Sequence, residues 1–225
     1  MNKETYNLIE KFMLSCMDNA AHDKEHVFRV LYTAMEIAQT ETNVDYDVLI
    51  TACLLHDVGR KEQFENPALC HAEMGSSKAY AFLIDNGFSA DFAEKVKHCI
   101  ITHRFRNNNQ PQTIEAKILF DADKLDTTGA LGIARSLQYN GSMGEPLYGF
   151  NADGTVSDGT GDEQSSFFRE YKFKLENIYN RFLTVSGARL AKKREAAAIA
   201  FYNELYAECS EPYLNGKCML DKIVK

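Results

Sequence analysis

At 225 residues the chain is long enough for one large domain or two small ones, and 45% hydrophobic residues suffice for a substantial core. A formal net charge of −7 argues against general nucleic-acid or anionic-membrane binding, while leaving room for a local cationic pocket that takes phosphate. Six cysteines lack any Cys-x-x-Cys pair, which argues against a zinc ribbon; the first residues carry no signal-type apolar segment, no stretch approaches the ~20 apolar residues that span a bilayer, and a reducing cytoplasm is the expected location.

The hydrophobic pattern is helical nearly throughout. Tyr6, Ile9, Phe12, Met13 and Cys16 repeat at the spacing of one helix face and predict a first helix over residues 2–17. A second is expected from about Asp23 to Gln39; His26, Val30, Thr33, Ala34 and Ile37 share a face, so His26 points toward the core. Asp45 can cap a third helix, 46–57, that stops at Gly59. Cys53 and Cys99 read as small core residues. Asn66-Pro67 marks a loop, and a fourth helix is expected over about 72–85, ending at Asn86-Gly87. Ser89 or Asp91 opens a fifth that runs through His103. Val96, Ile100 and His103 face inward on it, while His98 falls on another face and reads as a surface residue.

A polar loop, 104–112, precedes a sixth helix predicted over about 113–137. Ala116, Phe120, Asp123, Thr127 and Ala130 share its face, with Asp126 close beside Asp123. Residues 140–161 are glycine-rich and lack a period, and read as a long flexible loop or flap. Two long helices are expected over about 165–185 and 187–210, followed by a loosely ordered tail from Glu211. Phe168, Tyr171, Leu175, Ile178 and Phe182 form an aromatic and apolar stripe that reads as core. No alternation is long enough for a sheet. The fold class is therefore all-α, read as a single domain over 1–225 with its core at about 19–137 and the C-terminal helices packed on it.

The chemistry concentrates in separated segments. His56-Asp57 ends the apolar run Ala52-Cys53-Leu54-Leu55. Burying such groups unpaired costs roughly 2–7 kcal/mol for a neutral polar group and more for a charged one. A divalent cation offsets that cost, because neutral imidazole and carboxylate are its ligands. His26 and Asp123 sit on otherwise apolar faces of other helices. His26, His56, Asp57 and Asp123 thus form a candidate metal set with positions left for water and a phosphoryl oxygen. The reading without metal makes the histidines hydrogen-bonded core residues and the aspartates caps or ion-pair members.

Three stretches carry a family likeness: His22-Asp23-Lys24-Glu25-His26-Val27-Phe28-Arg29-Val30, Leu55-His56-Asp57-Val58-Gly59-Arg60, and the run from Asp121-Ala122-Asp123-Lys124-Leu125-Asp126 to Arg135. In this order they resemble the signature of the HD-domain metal-dependent phosphohydrolase superfamily, and in context a bacterial branch of small stand-alone hydrolases within it. The likeness spans about 19–133 and, more weakly, the last two helices. It implies a five-helix core holding a divalent metal, and hydrolysis of phosphate esters or anhydrides with nucleotides as the favoured substrates. Two-metal members use extra histidines in comparable places, which points to His71 and His103 as ligands of a second metal or contacts to the scissile phosphate.

The resulting expectation is a phosphohydrolase using Mn²⁺ or Mg²⁺. Asp57 serves as ligand and water orienter; His71, His103 or Asp126 passes a proton to the leaving oxygen. Arg29, Arg60, Lys61 and Lys124 are the candidate phosphate contacts, with Arg104 and Arg106 placed to clamp the far end of a substrate. A nucleoside triphosphate cut to monophosphate and pyrophosphate is the first choice of reaction, and a nucleoside monophosphatase the second. A catalytically silent nucleotide-binding or scaffold protein is the alternative, and di-iron oxygenase chemistry a third reading. The partner is a small phosphorylated molecule, with no nucleic acid and no membrane; a homodimer is left open.

Overall fold

Side-chain caps set the starts of several helices in the computed structural model, which describes residues 1–17, 24–104 and 109–224. Helix α1 (Lys3–Ser15) begins at Asn2, whose carboxamide accepts from Thr5 N. The expected start of the second helix at Asp23 lies outside the described residues; α2 runs Lys24–Ala38. Asp45 caps α3 (Tyr46–Leu55) by accepting from the amides of Asp47 and Val48. Ser89 caps α6 (Ala90–Thr102) and Thr113 caps α7 (Ile114–Leu125). Between them lie α4 (Arg60–Glu65) and α5 (His71–Asp85). Helix α4 buries no residue, which is why no apolar period announces it.

The chain divides into two compact units. The first holds Met1–Asp126 together with Phe182–Gly187. Helix α3 is its centre, packed by α1, α2, α5, α6 and α7. It is apolar all round, with Val48, Leu49, Ala52, Cys53, Leu54 and Leu55 buried. A helix covered on every side delivers whatever follows its last residue into the interior, and here that is His56-Asp57. Residues 182–187 are tied to this unit by Asp121, a fully buried carboxylate on α7. It accepts from the amides of Leu183 (2.8 Å) and Thr184 (2.7 Å) and from the Thr184 hydroxyl (2.7 Å).

The second unit comprises Thr127–Arg181 and Ala188–Lys225. The single helix expected over 113–137 is broken after Leu125: α8 (Gly129–Ser142) starts afresh at Gly129, whose φ of 64° a right-handed helix cannot contain. Helix α8 also takes the first residues of the loop expected at 140–161, and the remainder closes on an isolated bridge between Phe150 and Val156. The helix expected over 165–185 is α9 (Phe167–Glu170), a π-helical turn (Tyr171–Leu175) and a 3₁₀ turn (Ile178–Asn180). Helix α10 spans Val185–Ile223, so the tail expected to be loose from Glu211 is helical, with a Lys217–Asp221 ion pair at 3.0 Å. Phe168, Tyr171, Leu175 and Ile178 are buried as expected, and the Tyr171 and Tyr202 rings stack 4.0 Å apart. Among the described residues no strand forms, and the fold is all-α.

Candidate metal centre

Three chain segments meet at the end of α3. His26 lies in the first turn of α2, His56 caps the C-terminus of α3 with Asp57 directly after it, and Asp123 lies in the last turn of α7. His26 Nε2 stands 3.2 Å from Asp123 Oδ1, 3.4 Å from His56 Nε2 and 3.5 Å from Asp57 Oδ2. His56 Nε2 is also 3.5 Å from Asp57 Oδ2. The four side chains named from the sequence therefore face one common point.

A second group adjoins the first. His71 opens α5 and His103 caps the C-terminus of α6, and their Nε2 atoms are 3.2 Å apart. His71 Nε2 is 3.4 Å and His103 Nε2 4.0 Å from Asp57 Oδ1. Asp57 thus turns one oxygen to each group. A glycine contact makes this approach geometrically accessible. A Cβ on Gly59 would fall 2.4 Å from both Gly75 N and His71 O, so only glycine lets the chain after Asp57 lie against the first turns of α5.

Hydrogen bonds on the far side of each ring fix which nitrogen faces inward. His56 Nδ1 donates to Cys53 O at 2.7 Å and His103 Nδ1 to Ile100 O at 2.6 Å. His71 Nδ1 meets Gln63 Oε1 at 2.6 Å, and His26 Nδ1 meets Asp126 Oδ2 at 2.7 Å. In the neutral rings each Nε2 is left with a lone pair. Two imidazole lone pairs aimed at each other across 3.2 or 3.4 Å repel unless a cation or proton lies between them. The donor set therefore fits divalent metal on an observation of its own geometry.

The electrostatics agree. Burial works to lower His26, but hydrogen bonds to Asp123 and Asp126 outweigh it and raise its pKa to about 9, so in the metal-free chain a proton takes the cation's place. Burial, reinforced by Arg60, pushes His71 down to about 2, and burial pushes His103 down to about 4; both present neutral ligand nitrogens. Burial opposes ionisation of Asp57, yet Arg60 first and then His56, His26 and His71 hold its carboxyl well below the usual carboxylate range. Asp123 is held low against burial by His26.

The expected cations separate by position. Arg60 Nε donates to Asp57 Oδ1 at 2.9 Å, at the edge of the second group. Arg104 Nη1 lies 3.3 Å from His71 Nδ1. Arg29 grips Asp126 through Nε (2.8 Å) and Nη2 (3.1 Å). Lys61 is exposed on α4, and Lys124 Nζ lies 4.3 Å over the Phe120 ring. Arg106 is outside the described residues. Asp126 sits behind His26, on the ring nitrogen opposite the common point. Gln63 is the residue that sequence reasoning missed: a glutamine on an exposed short helix gives no periodic signal. His98 is not the surface residue expected from its helix face. It is half-buried, because α6 packs against α3, α5 and α7, and its Nε2 is buried without a hydrogen-bond partner among the described residues.

Comparison with known proteins follows the same lines. Residues 24–128 match the family model of the HD domain. Over 192 residues, 84% of each chain, the sequence is 30% identical to YpgQ, an uncharacterised protein of Bacillus subtilis (strain 168). The fold superposes on the crystal structure of B. subtilis YpgQ in complex with ADP with a TM-score of 0.71 and 27% identity, covering 91% of this chain and 95% of that one. A crystal structure from an uncultured Thermotogales bacterium, of a protein described as a predicted HD superfamily hydrolase, gives a TM-score of 0.61 and 28% identity, covering 92% and 99%.

Proposed function

This chain belongs to the HD-domain superfamily, and on that premise we propose that it is a divalent-metal-dependent phosphohydrolase acting on nucleotides. The observation that carries the reading is Asp57: one carboxylate places an oxygen in each of two groups of inward-facing histidine nitrogens. His26, His56, Asp123 and Asp57 Oδ2 would hold one ion, and His71, His103 and Asp57 Oδ1 a second. Four imidazoles are a poor set for Mg²⁺, which prefers oxygen and keeps its waters; the mixed set favours Mn²⁺. A bound cation supplies Lewis acidity toward a phosphoryl oxygen and toward water.

The side chains supply the rest. Arg60, half-exposed beside Asp57, is placed to take a phosphate oxygen as charge builds on the transferring group. Arg104 stands on the His71 side for the remaining phosphates. Asp57 orients what binds between the two groups. Asp126 we assign to positioning His26 rather than to proton transfer, because its carboxylate is taken up by His26 Nδ1 and by two nitrogens of Arg29. Arg29 is likewise a support for Asp126 and not a phosphate contact. Nucleotides are favoured as substrates because the related YpgQ crystallised with ADP, and hydrolysis of a nucleoside triphosphate to monophosphate and pyrophosphate is the first reaction to test.

The test is a panel of nucleoside tri-, di- and monophosphates offered to chelator-treated protein with and without Mn²⁺, scored for pyrophosphate and phosphate release. Metal-dependent release that Asp57→Ala abolishes, with helix content unchanged by circular dichroism, is the expected result. Tight nucleotide binding without release from any of them would make the chain a nucleotide-binding protein instead, and wild-type turnover by Asp57→Ala would end the metal mechanism.

A further inference from the structure

The two groups around Asp57 are unequal in charge. The first contains a carboxylate of its own, Asp123, besides Asp57 Oδ2, and the nearby Arg29 is matched by Asp126. The second contains no carboxylate but the shared Asp57 among the described residues. The oxygen that Asp57 turns to it, Oδ1, already accepts from Arg60 Nε at 2.9 Å. A second guanidinium, Arg104, stands 3.3 Å from His71 on the other flank. A divalent cation entering there meets two neutral nitrogens, one carboxylate already shared with Arg60 and two positive neighbours, with the charge of Asp123 reaching it only from the first group, across His103. In a buried setting like-charge repulsion of this kind is only weakly screened.

Resting on the two-ion reading above, we propose that the second centre is completed by substrate: His71, His103 and Asp57 Oδ1 take their cation only together with a phosphate oxyanion. The oxyanion brings the missing negative charge, offers an oxygen donor, and gives Arg60 an acceptor in place of Asp57 Oδ1. The first centre needs none of this and holds its ion unaided. Binding of the anion and of the second ion are then mutually reinforcing, since each raises the affinity of the other by the same factor. Arg60 is the residue that sets this dependence.

The experiment is a titration of the metal-stripped full chain with Mn²⁺ in chloride buffer, free Mn²⁺ being read by electron paramagnetic resonance, with and without inorganic phosphate. Wild type is expected to bind one ion tightly without phosphate, and phosphate is expected to tighten a second by about tenfold or more. Arg60→Met and, as a second variant, Arg60→Gln should bind the second ion about tenfold more tightly than wild type in phosphate-free buffer. Arg60→Lys, which keeps the charge, should restore the phosphate dependence. His71→Ala should keep the first ion and never gain the second. Two ions of similar affinity in phosphate-free wild type would overturn the proposal, as would a count that stays at one with phosphate, or Arg60→Met and Arg60→Gln that titrate like wild type. Wild type that takes up no Mn²⁺ under any condition would remove the two-ion reading itself.

Discussion

Replacing Asp126 with asparagine separates positioning from proton transfer. The carboxylate is 4% exposed and accepts from His26 Nδ1 at 2.7 Å and from Arg29 at 2.8 and 3.1 Å. The carboxamide would keep the shape and one acceptor but lose the charge. Each charge-assisted bond contributes about 1.5–3 kcal/mol, and Arg29, a third exposed, can turn part of its donor capacity to water. The expected loss of stability is therefore about 2–3 kcal/mol. The larger effect is on His26: without the carboxylate behind it, its Nε2 is a weaker and less firmly aimed ligand, and metal affinity should fall by about 10–100-fold. Calorimetry with Mn²⁺ reads this directly, and an NMR titration of the metal-free variant should find the His26 pKa moved down from about 9, since Asp126 is one of the groups that raise it. Wild-type metal affinity in Asp126→Asn combined with slowed leaving-group departure would refute the positioning role and return Asp126 to the proton-transfer role.

Gln63→Leu should weaken the second ion by about 10–100-fold and leave the first unchanged, whereas Gln63→Glu, which still accepts from His71 Nδ1, should retain it; Mn²⁺ titration in the presence of phosphate distinguishes them. Gly59→Ala should cost about 2–4 kcal/mol in urea denaturation, because its methyl would meet backbone atoms at 2.4 Å, and Gly75→Ala should cost less, its nearest contact being 3.2 Å; the reverse order would show that the close approach does not govern packing there. Metal-free protein should be most stable near pH 6.5. His26 is raised from 6.5 to about 9, so its contribution is complete below 6.5 and lost as pH rises through 9, an effect of up to about 3 kcal/mol. His71 and His103 are depressed to about 2 and about 4, so the unfolded chain binds more protons below 6.5 and stability falls on acidification. Denaturation across pH 5–9 with chelator checks this (a flat profile above 6.5 would refute the His26 contribution), and saturating Mn²⁺ should remove the alkaline decline.

What could be read from the sequence was whatever combined a costly side chain with an apolar setting. His26, His56, Asp57 and Asp123 each stand among residues that pack, so the burial of the first three and the inward position of the partly exposed Asp123 could be inferred from their apolar settings. His71 and His103 were legible as inward-facing or helix-end histidines, but not their mutual distance, which is set by the packing of α5 on α6, nor their nearness to Asp57, where Gly59 lets the chain lie against α5. The cations were the least legible. Arg29 and Arg60 lie in equivalent places, one turn beyond a ligand, yet one is spent on Asp126 and the other reaches the centre; only tertiary geometry separates them. The break between α7 and α8 was hidden because apolar spacing continues across Thr127-Thr128-Gly129, and the backbone angle at Gly129 overrides it. Helix α10 outran its expected end: it continues through Pro212, where Tyr213 packs against the Tyr148 and Phe150 rings, contacts that no helical period announces, and the exposed Lys217–Asp221 pair adds only a little beyond them.

The hold of Asp121 on residues 183 and 184 bears on how this protein can be trimmed or transplanted. A fragment stopped after Asp126 would contain every histidine and aspartate of both centres. It would also strip a fully buried carboxylate, two positions from Asp123, of the two amides and the hydroxyl that satisfy it. The smallest excisable piece is therefore discontinuous, and a chimera that borrows the ligands must import the short strap at 182–187 with them.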